Sequence, residues 1–141
     1  MNNVEIRRNA LGAEEFLRLF TAVGWDAPGT DQVEMALANS LATFAAVSGA
    51  DVVGMVRLIG DGGMSFYIKD FAVMPAAQSQ GVGSALLAAV EGYVRESMRP
   101  GWAVSLELIS SQGAVAFYER HGFEPRPNEW DGPGMLKMIR A

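Results

Sequence analysis

The sequence predicts one domain of the α/β class, in which strands and helices alternate along the chain. Half of the 141 residues are hydrophobic, and a chain of this length can bury one core. Runs in which apolar and polar residues alternate, as in strands, are followed by runs with apolar residues at helical spacing. No repeat, low-complexity tract or linker interrupts this order, so we expect a single domain over residues 1–141.

The first part of the chain is predicted to form one strand and two helices. A short strand is expected at Val4–Arg8, and a helix at residues 13–23, where apolar and charged residues lie on opposite sides. A second helix is expected from Asp31 to about residue 39, because Asp31 followed by Glu34 has the spacing of a capping box.

Three strands are predicted next. Residues 42–47 and 51–59 flank the turn residues 48–49, which indicates an antiparallel hairpin. A second tight turn at residues 60–63, with the sequence GDGG, leads into a third strand at residues 64–73.

The stretch of residues 71–87 is the most informative about function. Pro75 ends the strand because proline lacks a backbone donor, and the turn at 78–83 holds two glycines before helical spacing begins at Ser84. The first N–H groups of a helix carry partial positive charge, and glycines let the backbone approach a phosphate. The stretch therefore predicts a phosphate-binding turn, although a plain strand-to-helix connection has the same spacing.

The last part of the chain is predicted to be a strand, a helix and two further strands. The strand covers residues 104–109, and the helix covers residues 114–121 and is ended by Gly122. Phe123 begins the next strand, and a loop rich in proline and glycine leads to a final strand at residues 135–140. The predicted order is β-αα-βββ-α-β-α-ββ.

Composition excludes several classes of function. A net charge of −5 argues against nucleic-acid binding and suits a cationic substrate such as an amine. The chain has no cysteine and one histidine, so we expect no metal centre, disulfide or cysteine nucleophile. It has neither the ~20 apolar residues of a membrane span nor the apolar stretch of a secretion signal. We therefore expect a cytoplasmic protein without a membrane partner.

Two motifs resemble those of a known family. The turn QSQGVG at residues 78–83 resembles the acetyl-CoA-binding signature Q/R-x-x-G-x-G/A of the GCN5-related N-acetyltransferase (GNAT) superfamily. The segment AVAFYERHGF at residues 114–123 resembles that family's second signature, A-x-x-F-Y-x-K-x-G-F. The two motifs have the family's order and separation, and the resemblance covers most of the chain from about Leu41 onward.

This resemblance implies the GNAT fold, a central mixed, mostly antiparallel sheet of six to seven strands flanked by about four helices. It also implies an enzyme that transfers the acetyl group of acetyl-CoA directly to a primary amine of a small molecule or peptide. Transfer would occur in a ternary complex, without a covalent enzyme intermediate. Similarity to a subgroup of small, mostly bacterial acetyltransferases suggests an arylalkylamine, polyamine or lysine acceptor.

The resemblance further implies which residues contact coenzyme A. In the family, the central strand holds the pantetheine and thioester, and the glycine turn binds the pyrophosphate. The matching residues are Phe71, Ala72, Val73, Gln78, Ser79, Gln80, Gly81, Val82, Gly83, Ser84, Ser111, Phe117 and Tyr118. Two of them differ from the usual pattern, since relatives often carry Lys or Arg at the position of Gln80 and Asn at that of Ser111.

Tyr118 and Asp70 are the expected catalytic residues. By the resemblance, the Tyr118 hydroxyl protonates the leaving sulfur, although packing in the core is the alternative. Asp70 would orient the acceptor ammonium or accept its proton, unless it caps or pairs with a nearby arginine. Glu107 is a second candidate for the base, although a solvated strand residue is the simpler interpretation.

The acceptor is expected to contact Trp25, Tyr67, Asp70 and Glu107, although ordinary packing explains Trp25 equally well. His121 precedes the helix-ending Gly122, so we expect it to be structural.

Three alternatives stay open at this stage. The chain could be an acyl-CoA-binding sensor without turnover, or an unrelated nucleotide-binding α/β protein. The apolar residues of the final strands fit either the edge of a homodimer or the core of a monomer.

Overall fold

The computed structural model describes residues 3–141 and confirms a mixed α/β fold. The chain divides into two compact units, of which the first ends at Glu107 and the second is Leu108–Ala141. The first unit contains β1 (Val4–Arg8), α1 (Ala13–Ala22), α2 (Thr30–Ala38), β2 (Ala42–Ser48), β3 (Asp51–Gly60), β4 (Ser65–Val73), a 3₁₀ turn (Pro75–Ala77), α3 (Val82–Ser97) and β5 (Ser105–Glu107). The second unit contains α4 (Val115–Arg120).

The sheet is mixed and mostly antiparallel, as the family resemblance implies. Its strand order is β1-β2-β3-β4-β5. The first four strands pair antiparallel with their neighbours in sequence, whereas β4 and β5 pair in parallel. The chain therefore crosses from β4 to β5 through α3, as parallel neighbours require a crossover.

Both faces of the sheet are covered in the first unit. On one face, side chains of α1 and α2 pack with alternate strand residues in a cluster of Leu11, Phe16, Leu19, Val33, Ala45, Val47, Val52, Met55 and Ala72. On the other face, α3 contributes Val82, Leu86, Leu87, Val90 and Val94, all of which are buried. This second contact fixes where α3 begins relative to the strands.

The number of strands is a correction to the sequence-based expectation. The described residues form five strands rather than six or seven. The strands expected at Phe123 and at residues 135–140 are absent from the described structure, and β5 covers three residues of the predicted 104–109. Prolines 125, 127 and 133 lack the N–H donor that a strand ladder needs, which explains the irregular path of the segment after Phe123.

The predicted helix boundaries also need correction. Helix α2 begins at Thr30 after the cap residue Gly29, and Asp31 lies inside its first turn, where its Oδ1 accepts a hydrogen bond of 2.9 Å from the Gln32 N–H. Helix α3 begins at Val82 rather than Ser84, since Gly81 takes a left-handed φ of 86° as the preceding cap residue.

Candidate active site

Strand β4 contains a bulge at the position of the candidate acid Asp70. Met55 pairs with Ala72 and Arg57 pairs with Lys69, so Asp70 and Phe71 together face one residue of β3. Asp70 has a φ of 54°, the left-handed conformation that Asp and Asn tolerate better than most residues. A bulge re-aims side chains and interrupts the ladder locally, and bulges are frequent beside active sites.

The Asp70 carboxylate forms an ion pair across the bulge. Arg57 Nε lies 2.9 Å from Asp70 Oδ2, and the two side chains are only 16% and 14% exposed. A partly buried pair of this kind fixes both side chains, because separating them would leave a desolvated charge without its partner. The sequence allowed Asp70 either to contact the acceptor amine or to cap or pair with a nearby arginine. The structure contains the pair with an arginine. Arg57 was not among the candidate residues.

Within the described residues, β4 pairs with β5 only as far as Tyr67. The parallel pairing covers Ser65 to Tyr67 and ends with the Tyr67–Glu107 pair, whereas β4 continues to Val73. An extended ligand can add to such an edge as a further strand, with main-chain hydrogen bonds. This is the stretch in which Phe71, Ala72 and Val73 lie.

The turn after β4 joins the end of the strand to the start of α3. Gln78 Nε2 donates to the carbonyl of Val73 at 3.0 Å, and Gln80 Nε2 donates to the carbonyl of Ala76 at 3.3 Å. Both amide side chains therefore stabilise the turn itself. Any phosphate contact here would depend mainly on backbone N–H groups.

The start of α3 has the properties of an anion site. The first N–H groups of a helix lack carbonyl partners within it and carry partial positive charge. Ser79, Gln80 and Gly81 are exposed, whereas Val82 is buried and holds the first turn against the sheet. This geometry fits a pyrophosphate at residues 79–84, including Gly83 and Ser84.

Gly54 of β3 determines how closely the first turn of α3 approaches the sheet. A Cβ at Gly54 would lie 3.0 Å from Val82 Cγ1 and 3.0 Å from Leu86 Cδ1. Because Gly54 pairs with Val73, the close contact also places the helix start beside the end of β4. No pattern in the sequence singles out this glycine.

Tyr67 and Glu107 lie side by side on β4 and β5. They are direct partners in the parallel register, and Glu107 Oε2 accepts a hydrogen bond of 2.8 Å from Ser105 Oγ. Partial burial, and secondly the negative charge of Glu107, raises the pKa of Tyr67. The pair presents one phenol and one carboxylate on the same face of the sheet, a combination suited to an ammonium group.

Trp25 packs on the end of α1. Its ring lies 5.0 Å from the ring of Phe20 in an edge-to-face arrangement. The backbone N–H of Trp25 donates to the Phe20 carbonyl at 3.1 Å. The side chain also packs against the core cluster. These contacts agree with the interpretation of Trp25 as a packing residue. The ring is only partly buried, so an acceptor could contact its exposed part.

In the second unit, Tyr118 is held by the end of α4. Gly122 has a φ of 89°, its N–H donates to the Glu119 carbonyl at 3.1 Å, and the Phe123 N–H donates to the Tyr118 carbonyl at 3.1 Å. This is a Schellman motif, and the Tyr118 and Phe123 rings make the apolar contact that accompanies it, 5.7 Å apart. Gly122 therefore ends the helix as the sequence predicts.

Aromatic contacts surround the Tyr118 side chain. Phe117 lies 5.2 Å from Tyr118 and 4.8 Å from His121, measured between ring centroids. Burial raises the pKa of Tyr118, so its hydroxyl remains protonated at neutral pH. A protonated phenol is the form that a general acid requires.

Ser111 lies in the turn before α4. Its carbonyl accepts hydrogen bonds from Ser110 Oγ at 2.8 Å and from the Ala114 N–H at 3.1 Å. The residue is exposed. Its backbone thus supports the start of α4, and its side chain is accessible to solvent.

The structure therefore groups the predicted residues in two sets. The first unit holds the β4 edge, the glycine turn, the Tyr67–Glu107 pair and Asp70, whereas the second unit holds Ser111, Phe117 and Tyr118. The structure adds three residues that were not among the sequence-based candidates, namely Arg57, Gly54 and Ser105. Only the strand register, with its bulge, could have identified Arg57 as the partner of Asp70.

Residues 3–141 contain no group of three or more His, Cys, Asp or Glu side chains placed to hold a metal ion. No helix among them is both long and apolar enough to span a membrane.

Known proteins share this fold and sequence pattern. The sequence model of the family described as "Acetyltransferase (GNAT) domain" matches residues 21–137. An uncharacterized N-acetyltransferase of the ycf52-like type from Prochlorococcus marinus is 28% identical over 120 residues, which is 81% of this chain and 64% of that protein. The chain thus spans somewhat less than two thirds of that relative.

Several solved structures match over nearly the whole chain, including the following two. A GNAT-family acetyltransferase from Streptococcus pneumoniae TIGR4 has a TM-score of 0.81 and 33% identity, with 99% of this chain and 100% of that chain covered. A protein of unknown function from meticillin-resistant Staphylococcus aureus, described as a probable acetyltransferase, has a TM-score of 0.85 and 28% identity, with 97% and 100% covered. With the domain match, these likenesses show that the chain belongs to the GNAT acetyltransferase family.

Proposed function

We propose that this protein is an N-acetyltransferase that moves the acetyl group of acetyl-CoA directly to a primary amine. The observation that carries the proposal is the continuity of the β4 edge with the start of α3. One segment, residues 71–84, offers main-chain groups to an extended pantetheine and then helix N–H groups to a pyrophosphate. The family match includes residues of both units, which supports one GNAT domain.

Coenzyme A fits the residues present. The turn supplies backbone donors rather than cationic side chains, because Gln78 and Gln80 bond to carbonyls of the turn. We therefore expect the contacts to come from Phe71, Ala72, Val73, Gln78, Ser79, Gln80, Gly81, Val82, Gly83, Ser84, Ser111, Phe117 and Tyr118. When bound, acetyl-CoA supplies an activated acyl group with a thiolate leaving group.

Tyr118 is the general acid in this proposal. The amine nitrogen forms a bond to the acyl carbon, the carbon–sulfur bond breaks, and Tyr118 donates its phenolic proton to the departing sulfur. The raised pKa of Tyr118 keeps that proton available at neutral pH. The same shift makes the resulting phenolate a strong base, so the proton is readily regained from solvent.

The acceptor ammonium is proposed to lie against Tyr67, Asp70 and Glu107, with the exposed part of Trp25 as a further contact. Carboxylates favour a cation, and the amine must lose a proton before it attacks. We propose Asp70 as the acceptor of that proton, directly or through water, with Arg57 holding the carboxylate in place. The absence of a disulfide-forming residue fits the cytoplasm, which we propose as the compartment.

The test is release of free thiol from acetyl-CoA with a panel of polyamines, arylalkylamines, amino sugars, aminoglycosides and lysine peptides. Saturable release with one class of amine would establish the activity and name the acceptor. Replacing Tyr118→Phe should then lower kcat by about 10²-fold or more and leave the Kd of acetyl-CoA nearly unchanged.

Other outcomes would redirect the proposal. No release with any amine, while acetyl-CoA still raises the melting temperature, would favour a sensor without turnover. Failure of acetyl-CoA to stabilise the protein at all would contradict the assignment of residues 78–84.

A further inference from the structure

Arg18 of α1 is held beside the end of β4 by two uncharged contacts. Its Nη2 donates to the carbonyl of Val52 at 2.7 Å, and its Nη1 donates to the sulfur of Met74 at 3.9 Å. A guanidinium carries further N–H donors besides these two. Because the residue is exposed, a ligand can reach those donors.

Arg18 has no ion pair with a carboxylate among residues 3–141. Glu14 lies four residues earlier on the same helix, which is the spacing of a helical ion pair, yet the Arg18 guanidinium contacts β3 and the end of β4 instead. In the first unit, the other guanidinium groups with a described contact each meet a carboxylate or an aromatic ring. These are Arg7, Arg8, Arg57 and Arg99. Arg18 is thus a fixed cation with which no described acid pairs.

Met74 connects this cation to the segment that leads into the glycine turn. The Met74 N–H donates to the Val53 carbonyl at 2.8 Å, and the Met74 carbonyl accepts a hydrogen bond of 2.8 Å from the Ala77 N–H. Met74 therefore joins the sheet to the 3₁₀ turn. Its contact with Arg18 places the guanidinium at the strand end from which a bound coenzyme A would continue toward the start of α3.

The glycine turn supplies no cation of its own. Residues 71–94 contain neither Lys nor Arg, and the amide groups of Gln78 and Gln80 bond to carbonyls of the turn. Bonds from arginine to phosphate are charge-assisted and frequently bidentate, and they are roughly twice as strong as bonds between neutral groups. An arginine from α1 would therefore add what the backbone donors of the turn lack.

We propose that Arg18 binds a phosphate group of coenzyme A. This inference rests on the proposed function and adds to it a residue that lies outside both sequence motifs. The bonds to Val52 and Met74 orient the guanidinium before the ligand arrives, so that less side-chain freedom is lost on binding.

The first experiment measures, by calorimetry, the Kd of coenzyme A and that of pantetheine, which lacks every phosphate. Arg18→Gln should raise the Kd of coenzyme A about tenfold and leave the Kd of pantetheine unchanged. Arg18→Lys keeps the charge but not the planar fork, so it should recover part of the affinity for coenzyme A.

The matched control is Arg95→Gln, which makes the same change in net charge at an exposed residue in the last turn of α3. It should leave both Kd values unchanged. An equal rise in the Kd of coenzyme A for Arg95→Gln would assign the effect to net charge and overturn the proposal.

A second experiment needs no variant and uses ¹H–¹⁵N spectra of the natural protein. The Nε–H resonance of Arg18 should shift when coenzyme A is added and should not shift when pantetheine is added. This measurement decides the matter even if Arg18→Gln does not fold, because Arg18 also connects α1 to β3.

Several other results would contradict the inference. A Kd of pantetheine that rises as much as that of coenzyme A would show that Arg18 acts only through the fold of the site. An unchanged Kd of coenzyme A in Arg18→Gln, or an Arg18 resonance that coenzyme A does not shift, would exclude the phosphate contact.

Failure of this inference is distinguishable from failure of the proposed function. If the natural protein does not bind coenzyme A, both are contradicted. If it binds coenzyme A with the predicted dependence on Arg18 but transfers no acetyl group to any amine, only the proposed function is contradicted.

Discussion

At the scale of single residues, Asp61 shows how backbone donors set the charge of a carboxylate. Its Oδ1 accepts hydrogen bonds from the N–H groups of Gly63, Met64 and Ser65, at 2.8 to 3.0 Å. These bonds, with that of Ser65 first, lower the pKa of Asp61 to about 2. The ionised carboxylate therefore stabilises the turn that sets the start of β4.

We predict that Asp61→Asn lowers stability at neutral pH but not in strong acid. The pKa of Asp61 in the folded protein is about 2, below the ordinary 3.8, so its charged form contributes stability that is fully present above about pH 4. That contribution is lost as the pH falls through about 2. Urea unfolding across this range should show the difference between the two proteins shrinking toward zero.

The matched control for that prediction is Asp51→Asn, which makes the same change in net charge at an exposed residue of β3. A stability difference for Asp61→Asn that stays constant down to pH 2 would show that the amide group, and not the lost charge, is responsible.

Asp70 and Arg57 should behave as a coupled pair. Each single change, Asp70→Asn or Arg57→Met, leaves one partly buried group without its partner, whereas the double change removes both. We therefore expect the double variant to lose less stability than the two losses added, with a coupling of about 1–3 kcal/mol. Additive losses in urea unfolding would contradict a structural role for the pair.

Kinetics of the same variants test whether Asp70 also contacts the amine. If it accepts the proton, Asp70→Asn should alter the pH profile of kcat/KM, and Arg57→Met should preserve the profile while lowering the rate. The sequence could name Asp70 because of its place in IKDFAV. It could not decide between base and ion pair, since Arg57 meets Asp70 only through the bulged register.

At the scale of elements, the sequence predicts the strand, turn and helix of this segment but not the residue at which the helix starts. Apolar spacing predicts a start at Ser84, because the polar residues and glycines before it indicate a turn. The structure begins the helix at Val82, since Gly81 takes the left-handed conformation directly before it and Val82 is already buried. Backbone conformation at a single glycine cannot be read from apolar spacing.

Gly54→Val should displace the start of α3. The added side chain would meet Val82 and Leu86, whose nearest atoms lie 3.0 Å from an added Cβ, and overpacking of this kind costs about 1–3 kcal/mol. We expect a lower free energy of unfolding and a weaker Kd for acetyl-CoA by calorimetry, because the helix N–H groups move relative to the end of β4.

Gly92→Ala, a change within α3 itself, is the control for Gly54→Val in β3. A Cβ at Gly92 has nothing within 4 Å, so alanine there should stabilise α3 by roughly 0.5–1 kcal/mol and leave the Kd of acetyl-CoA unchanged. Unchanged cofactor affinity in Gly54→Val would show that the helix position does not control binding.

At the scale of the whole molecule, the sequence predicts β2, β3 and β4 and their antiparallel order well because short turns connect them, whereas β1 pairs with β2 only after α1 and α2. The final two strands were not predicted correctly. Residues 135–140 have the apolar pattern of a strand, but a pattern indicates only that a segment needs a partner. The identity of that partner depends on contacts that are distant in sequence.

The net charge of −5 leads to a final prediction about the two substrates. An acidic protein attracts a cationic amine and repels the anionic acetyl-CoA over distances of about the Debye length, which falls from ~30 Å at 0.01 M salt to ~8 Å at 0.15 M. Over that range, kcat/KM for a polyamine acceptor should fall by up to roughly tenfold, whereas kcat/KM for acetyl-CoA should rise or stay constant. Opposite signs for the two substrates in one assay would separate electrostatic attraction from a general effect of salt on folding. A parallel fall for both would instead indicate that the phosphates meet a locally positive surface, so that the helix start outweighs the charge of the whole protein.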